Sequence, residues 1–353
     1  MDGIFIDYYD PLFGVVFFFL VIFVASFLTY SYNLYKEKNA RSEYKELLGR
    51  FGIGNLDEQD YVHLYKTYNL PFDSILLLAS SFVYKGDYNK SISIYLTLLE
   101  HVQDKVKKEE LLELLGTTYF KGGFLKRSVE IFLKLLEFSP RNTKALKYLL
   151  LCYEKLKEWD NALDVLESLR ELKCDTNEEY TYIVLQKLIS DPLLTYEKKT
   201  EQVLSIYDVA PHTARIISQY LITYNKPLFW KYVIKLDIFN IIDLLWYMDF
   251  NDIDFEVVKS NDLLEQIFSA KGYISYNDKA TNIVDLDILA LLCKENKGLR
   301  SRVDLGFEFI CKSCKRIHPM YESRCPHCHS ILSLGVKPKL IKRMMIEENI
   351  SLQ

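Results

Sequence analysis

The sequence predicts an all-α protein in three parts: a membrane-spanning helix near the N-terminus, a solenoid of stacked helical hairpins through the middle, and a small metal-binding knuckle near the C-terminus. Three observations carry that expectation. An uncharged apolar run fills residues 12–28. One spaced set of small and aromatic residues occurs three times between Leu78 and Leu166. Four of the seven cysteines fall into two Cys-x-x-Cys pairs, Cys311/Cys314 and Cys325/Cys328. At 353 residues, 49% hydrophobic and 26% charged, the chain has room for about two domains and shows ordinary globular usage, which argues against bulk disorder.

The apolar run reads LFGVVFFFLVIFVASFL, and a weakly polar, aromatic continuation extends the stretch from Leu12 to Leu34. At 1.5 Å per residue this gives about 34 Å of helix, enough to cross a bilayer with some tilt. A cleaved leader would want a basic start and a small-residue cleavage site, whereas Asp2, Asp7 and Asp10 precede the run with no cation. The expectation is an uncleaved, single-pass anchor over residues 12–34. Tyr30, Tyr32 and Tyr35 supply an interfacial aromatic belt, followed at once by Lys36, Lys38 and Arg41. Positive charge stays in the cytoplasm, which puts residues 1–11 outside as a short tail and the bulk of the chain inside.

Residues 35–71 form a polar stretch of brief helical tendency, interrupted by Gly49, Gly52 and Gly54 and closed by Pro71. This reads as a linker that includes, at most over residues 57–70, a degraded first repeat. Regular patterning begins at Phe72. Leu78-Ala79-x2-Phe82-x8-Ser91-x3-Tyr95 returns as Leu115-Gly116-x2-Tyr119-x8-Ser128-x3-Phe132, and again as Leu149-Leu150-x2-Tyr153-x8-Ala162-x3-Leu166, at offsets of 37 and then 34 residues. A period near 34 marks helical hairpins, none of which can bury its apolar face without a neighbour. Small residues at Ala79, Gly116, Ser91, Ser128 and Ala162 let paired helices approach closely. Gly86 and the Gly122-Gly123 pair end helices, and Pro140 cannot continue one. Leu115, Gly116, Tyr119, Phe132 and Pro140 stand where the tetratricopeptide repeat consensus has its signature, so residues 72–175 resemble three such repeats.

Helical alternation persists from 176 to 303, through 180–189, 199–209 and 214–224, with the signature positions faded: divergent repeats, broken at Asp191-Pro192 and Ala210-Pro211. The aromatic stretch 229–247, with Trp230, Phe239 and Trp246, reads as packing core. Asn277 to Asn282 is a polar break. Residues 304–353 hold the knuckle and a final helix expected from Lys339 to about Glu348.

Two cysteines separated by two residues can place both thiolates on one metal from a single tight turn, and two such turns offer four soft ligands. The ten residues between Cys314 and Cys325 allow a short hairpin or loop and no folded core, so the metal must supply the stabilisation. Four thiolates suit zinc or iron, in the spacing of a zinc ribbon or a rubredoxin-like knuckle. His318, His327 and His329 stand close by and are expected outside the ligand set. Cys152, Cys174 and Cys293 read as buried small hydrophobes in a reducing compartment. From Lys297 to Arg343 there are eleven Lys and Arg against Asp304, Glu308 and Glu322, an excess that would draw anionic lipid, phosphate or an acidic protein face. No phosphate loop, HExxH, G-x-S-x-G or paired carboxylates occur, and four protein ligands leave no open metal position, so no catalytic residue is assigned. Nucleic acid is not an expected partner, since the basic end lacks an aromatic stacking platform.

Anchor, repeats and CxxC-x10-CxxC knuckle in this order resemble the lipopolysaccharide assembly protein B family of Gram-negative bacteria. The stretch from Tyr148 to Leu166, with its paired Leu, Tyr153, Glu158-Trp159 and Ala162-Leu-Asp-Val, is similar to that family's third unit. The resemblance implies an inner-membrane scaffold with a periplasmic N-terminus and cytoplasmic bulk. It implies metal ligands at Cys311, Cys314, Cys325 and Cys328, and a transmembrane contact element from Leu12 to Leu34. It also implies protein partners: a membrane AAA+ protease and the lipid A pathway's deacetylase, brought together so that lipopolysaccharide synthesis is held in balance. Anionic lipid or lipopolysaccharide at the basic end, and a homodimer, are compatible with it. This chain departs by its shortness, its poorly preserved late repeats, and Lys315 where the family commonly has Gly. Groove positions by repeat register are Ser80, Tyr84, Glu113, Thr117, Lys144, Lys147 and Glu154. The alternatives are a rubredoxin-like iron electron carrier on a helical scaffold, or an interaction module for another envelope assembly pathway.

Overall fold

The computed structural model describes residues 11–53, 60, 63, 71–275, 281, 283–295 and 302–343. Helix α1 spans Pro11–Ile53. Within it, Phe17–Lys36 is long and apolar enough to cross a membrane, with a mean hydropathy of 1.8 and none of it buried against the protein. The Thr29 hydroxyl donates to the Ala25 carbonyl, so its polar group is satisfied inside the helix. The helix does not stop at Leu34: Lys36 to Leu48 is rich in Lys, Glu and Leu, good helix formers that carry it onward. The expected degraded repeat at 57–70 lies outside the described residues, apart from Asp60 and His63.

The chain divides into two compact units, Met1–Leu156 and Lys157–Gln353. In the first, α2 (Phe72–Lys85), α3 (Tyr88–His101), α4 (Lys105–Lys121), α5 (Leu125–Phe138) and α6 (Thr143–Leu156) follow one another, each packed on the next. Gly86 and Gly123 take φ of 85° and 79°. At each, the following N–H reaches back to close the helix, Asp87 to Phe82 O and Phe124 to Tyr119 O, both at 2.9 Å. The signature positions are where the core forms: Ala79, Ser91, Tyr95, Leu115, Gly116, Ser128 and Phe132 are all buried. Gly116 admits the Phe132 ring against its backbone, the Ser128 hydroxyl donates to Gly116 O at 2.8 Å, and Phe132 stacks on Tyr148 at 5.4 Å. The fold of small against aromatic thus follows from the repeat pattern itself.

The second unit holds α7 (Trp159–Glu171), α8 (Asn177–Ser190), α9 (Tyr196–Val209), α10 (Ala214–Tyr224), α11 (Lys226–Val233), α12 (Ile242–Trp246), α13 (Phe255–Lys259), α14 (Asp262–Ala270) and α15 (Val284–Glu295). Asp191 and Ala210 cap α8 and α9, as the Pro-linked breaks predict. Phe229, Trp230, Ile242, Leu245 and Trp246 are core, and the indole of Trp230 donates to Asp252 O at 2.8 Å; Phe239 is instead 40% exposed. The polar break at 277–282 lies outside the described residues save Thr281.

A three-stranded antiparallel sheet follows, in the order β2-β1-β3, from β1 (Val303–Cys311), β2 (Ile317–His318) and β3 (Leu334–Lys342). Strands β1 and β3 pair from Val303↔Lys342 to Cys311↔Leu334. The helix expected from Lys339 to Glu348 is therefore corrected: Lys339 to Lys342 belong to a strand, and residues 344–348 lie outside the described residues. Leu334, Val336 and Pro338 are buried on alternate positions while Lys337 is exposed, the period of a half-buried strand, and pairing to β1 decides the conformation over local helix propensity.

Candidate metal centre

Two turns of the same construction bring the four cysteines together. In the first, Lys315 N donates to Cys311 O at 2.9 Å and Cys311 N to Arg316 O at 3.0 Å. In the second, His329 N donates to Cys325 O and Cys325 N to Ser330 O, each at 2.9 Å. Lys315 and His329 hold equivalent places with φ of 62° and 61°. The first turn joins β1 to β2 and the second precedes β3, so the long β1–β3 pairing is what sets one turn against the other. All four sulfurs lie within 4.8 Å of one another, with Cys311 and Cys328 3.6 Å apart and Cys314 and Cys325 3.8 Å apart. A tetrahedral ion with bonds near 2.3 Å to sulfur needs sulfur–sulfur edges of about 3.8 Å. The donor set therefore fits a four-thiolate ion, and neither separation is a disulfide.

Polar groups surround the sulfurs. Ser333 Oγ is 3.3 Å from Cys311 Sγ, Ser330 Oγ 3.3 Å from Cys328 Sγ, and His318 Nε2 3.5 Å from Cys325 Sγ. The Cys314 N–H donates to Cys311 Sγ at 3.4 Å. Burial alone would raise the Cys311 thiol, but the Ser333 hydroxyl and the backbone N–H groups of Cys314 and Ser313 outweigh it and bring it down to about 5. The Ser330 hydroxyl lowers Cys328. Burial raises Cys325 to about 11.

His318, His327 and His329 stand outside the four-sulfur cluster: His318 faces Cys325 from the side, His327 is exposed and His329 shapes the second turn. Of the other cysteines, Cys152 is buried and Cys174 half-exposed, which corrects the expectation for Cys174; it sits in the turn after α7, its N–H donating to Leu169 O. The Cys293 side chain lies outside the description. Among the groove positions, Glu113 and Lys144 form an ion pair at 2.5 Å, the Thr117 hydroxyl bonds back to Glu113 O, Ser80 Oγ is 3.3 Å from the Tyr95 hydroxyl, and Tyr84 is 95% exposed. Lys147 is exposed and Glu154 half-buried.

Sequence reading missed the seat of the knuckle. Arg215 on α10 and Asp243 on α12 form a buried, two-point ion pair at 2.5 and 2.8 Å, and Arg215 also donates to Asn240 O. The guanidinium lies 3.8 Å from the centre of the Tyr321 ring and 5.7 Å from that of Phe309. Tyr321 belongs to the loop between the two cysteine pairs, so the helices grip the knuckle at the segment that joins its two turns. A signal existed: Arg215 and Asp243 are lone opposite charges in the apolar helices ARIISQYLITY and IDLLW. The serines that flank the sulfurs also had one, since Ser330 is two residues beyond Cys328.

No family model matches the chain. Over 124 residues, 33% of its length, it is 30% identical to lipopolysaccharide assembly protein B of Escherichia coli strain K12, and equally to that of strain O157:H7. The match takes in 32% of those proteins, so the chain spans about a third of the length of the curated relatives it matches. It is also 33% identical over 70 residues to Photosystem I assembly protein Ycf3 of Prochlorococcus marinus, covering 20% of this chain and 40% of that one. BtubC (BKLC) from P. vanneervenii superposes on 67% of this chain and 96% of its own at 15% identity and a TM-score of 0.28, too loose a likeness to bear on the fold.

Proposed function

We propose that this protein is an inner-membrane scaffold that regulates lipopolysaccharide assembly, holding the lipid A pathway deacetylase against a membrane AAA+ protease. The observation that carries the reading is the likeness to lipopolysaccharide assembly protein B in a chain that also has an apolar helix of spanning length and a four-cysteine cluster. The helix anchors the chain with residues 1–11 periplasmic, residues 12–34 in the membrane and the bulk of the chain cytoplasmic. The hairpins from Phe72 onward offer a groove for a protein segment, and the protein recruits rather than catalyses. Cys311, Cys314, Cys325 and Cys328 hold a structural ion, zinc or iron, that closes the loop carrying Tyr321.

Depletion of the protein in its own cells tests this. Deacetylase abundance and lipopolysaccharide level should both rise, and both should return with the wild-type gene. Unchanged levels of both would overturn the regulatory reading. An iron-loaded, red protein that bleaches reversibly on reduction would move the knuckle to electron transfer; a colourless, zinc-loaded one accords with a structural role.

A further inference from the structure

The first metal turn carries a set of side chains that the metal does not use. Lys312, Lys315 and Arg316 are exposed, and beside them Ile317 and Met320 are 59% and 71% exposed. None of these three cations pairs with an acid among the described residues, whereas Lys339 and Arg343 are held by Glu308 and Asp304. From 312 to 333 the only acid is Glu322. On the outer strand β2, His318 turns inward to Cys325 and Ile317 consequently turns out. Lys315 holds a left-handed φ of 62°, a conformation that glycine adopts without strain, so the turn gains a cation there at a conformational cost.

We propose that Lys312, Lys315, Arg316, Ile317 and Met320 form a docking surface for an anionic phospholipid bilayer, an inference that rests on the membrane anchoring proposed above. Two exposed apolar side chains within the same nine-residue stretch as three exposed cations match a bilayer boundary: the apolar groups enter the acyl edge and the cations meet phosphates. The same patch is far too small for the buried core of a stable protein interface, which needs on the order of 1,000 Å². A cation at an anionic surface strengthens binding roughly fivefold, so three give on the order of 100-fold. That is weak for a free protein and sufficient for one already tethered, because the anchor raises the effective lipid concentration.

The test uses the full-length, metal-loaded chain in lipid nanodiscs, with amide hydrogen exchange read over residues 312–320. Discs of phosphatidylglycerol and phosphatidylcholine should slow exchange there about tenfold relative to phosphatidylcholine alone, and 0.5 M salt should abolish the difference. The triple variant Lys312→Gln, Lys315→Gln, Arg316→Gln, checked for an unchanged metal content, should lose the protection. Should that variant fail to fold, Lys315→Gly relaxes the turn while removing one cation, and its protection should fall about fivefold. Equal exchange in both kinds of disc, protection that survives the loss of the cations, or protection that arises only on adding a soluble protein fraction would each overturn the proposal. The lipid result stands apart from the depletion experiment: protection in anionic discs with unchanged lipopolysaccharide would keep the docking surface and remove the regulatory role.

Discussion

A Cβ at Gly116 would stand 2.8 Å from the Phe132 ring, and that ring cannot retreat because it is fully buried and stacked on Tyr148. Gly116→Ala should therefore lower stability by roughly 1–3 kcal/mol in urea unfolding, although alanine is the better helix former. Arg215 and Asp243 are a second case. Arg215→Ala should cost about 3–5 kcal/mol, since it strands a buried carboxylate, while Arg215→Met with Asp243→Leu should recover most of the loss. Cys152 is a third: burial raises its thiol to about 11, against the weaker opposing effects of Ser128 and Lys155. Between its ordinary value of 9.0 and about 11 the unfolded chain releases this proton and the folded one keeps it. Stability should thus be full below pH 9 and fall as pH rises toward 11, by roughly 2–3 kcal/mol in all, and Cys152→Ala should flatten that slope in pH-dependent unfolding. At this scale the sequence was informative wherever chemistry is carried by type and spacing, as with the four cysteines and the Gly116–Phe132 pairing. It was silent where a partner arrives from far along the chain, as with Tyr321 on Arg215.

Among elements, the hairpins were legible because each closes on its own turn, with Gly86 and Gly123 marking the ends. Strand β3 was not. The helix propensity of Lys339 to Lys342 pointed elsewhere, and the register with β1 overrides it, which the knuckle imposes by joining the two strands at Cys311 and Leu334. Metal removal should reveal this dependence. A strong chelator with mild reductant should abolish exchange protection over residues 311–334 while leaving far-ultraviolet helical signal nearly unchanged, because the helices have their own cores. A knuckle that stays protected after verified metal loss would show that β1 and β3 suffice alone.

For the molecule as a whole, composition was enough to pick out the apolar helix from Phe17 to Lys36, which is long and apolar enough to cross a membrane and is not buried against the rest of the described residues. Where the late helices would go was not readable, since α10 to α14 are short and held by distant aromatic contacts such as Trp230 with Phe268 rather than by a repeat. The crowding of sulfurs at 3.6 and 3.8 Å carries a last implication. Thiols so close are poised to cross-link once an oxidant reaches them before an ion does. The four-sulfur cluster therefore faces a race: whichever reaches it first, an ion or an oxidant, decides whether the knuckle is held by coordination or stapled by disulfides, and a stapled copy can no longer take up the ion.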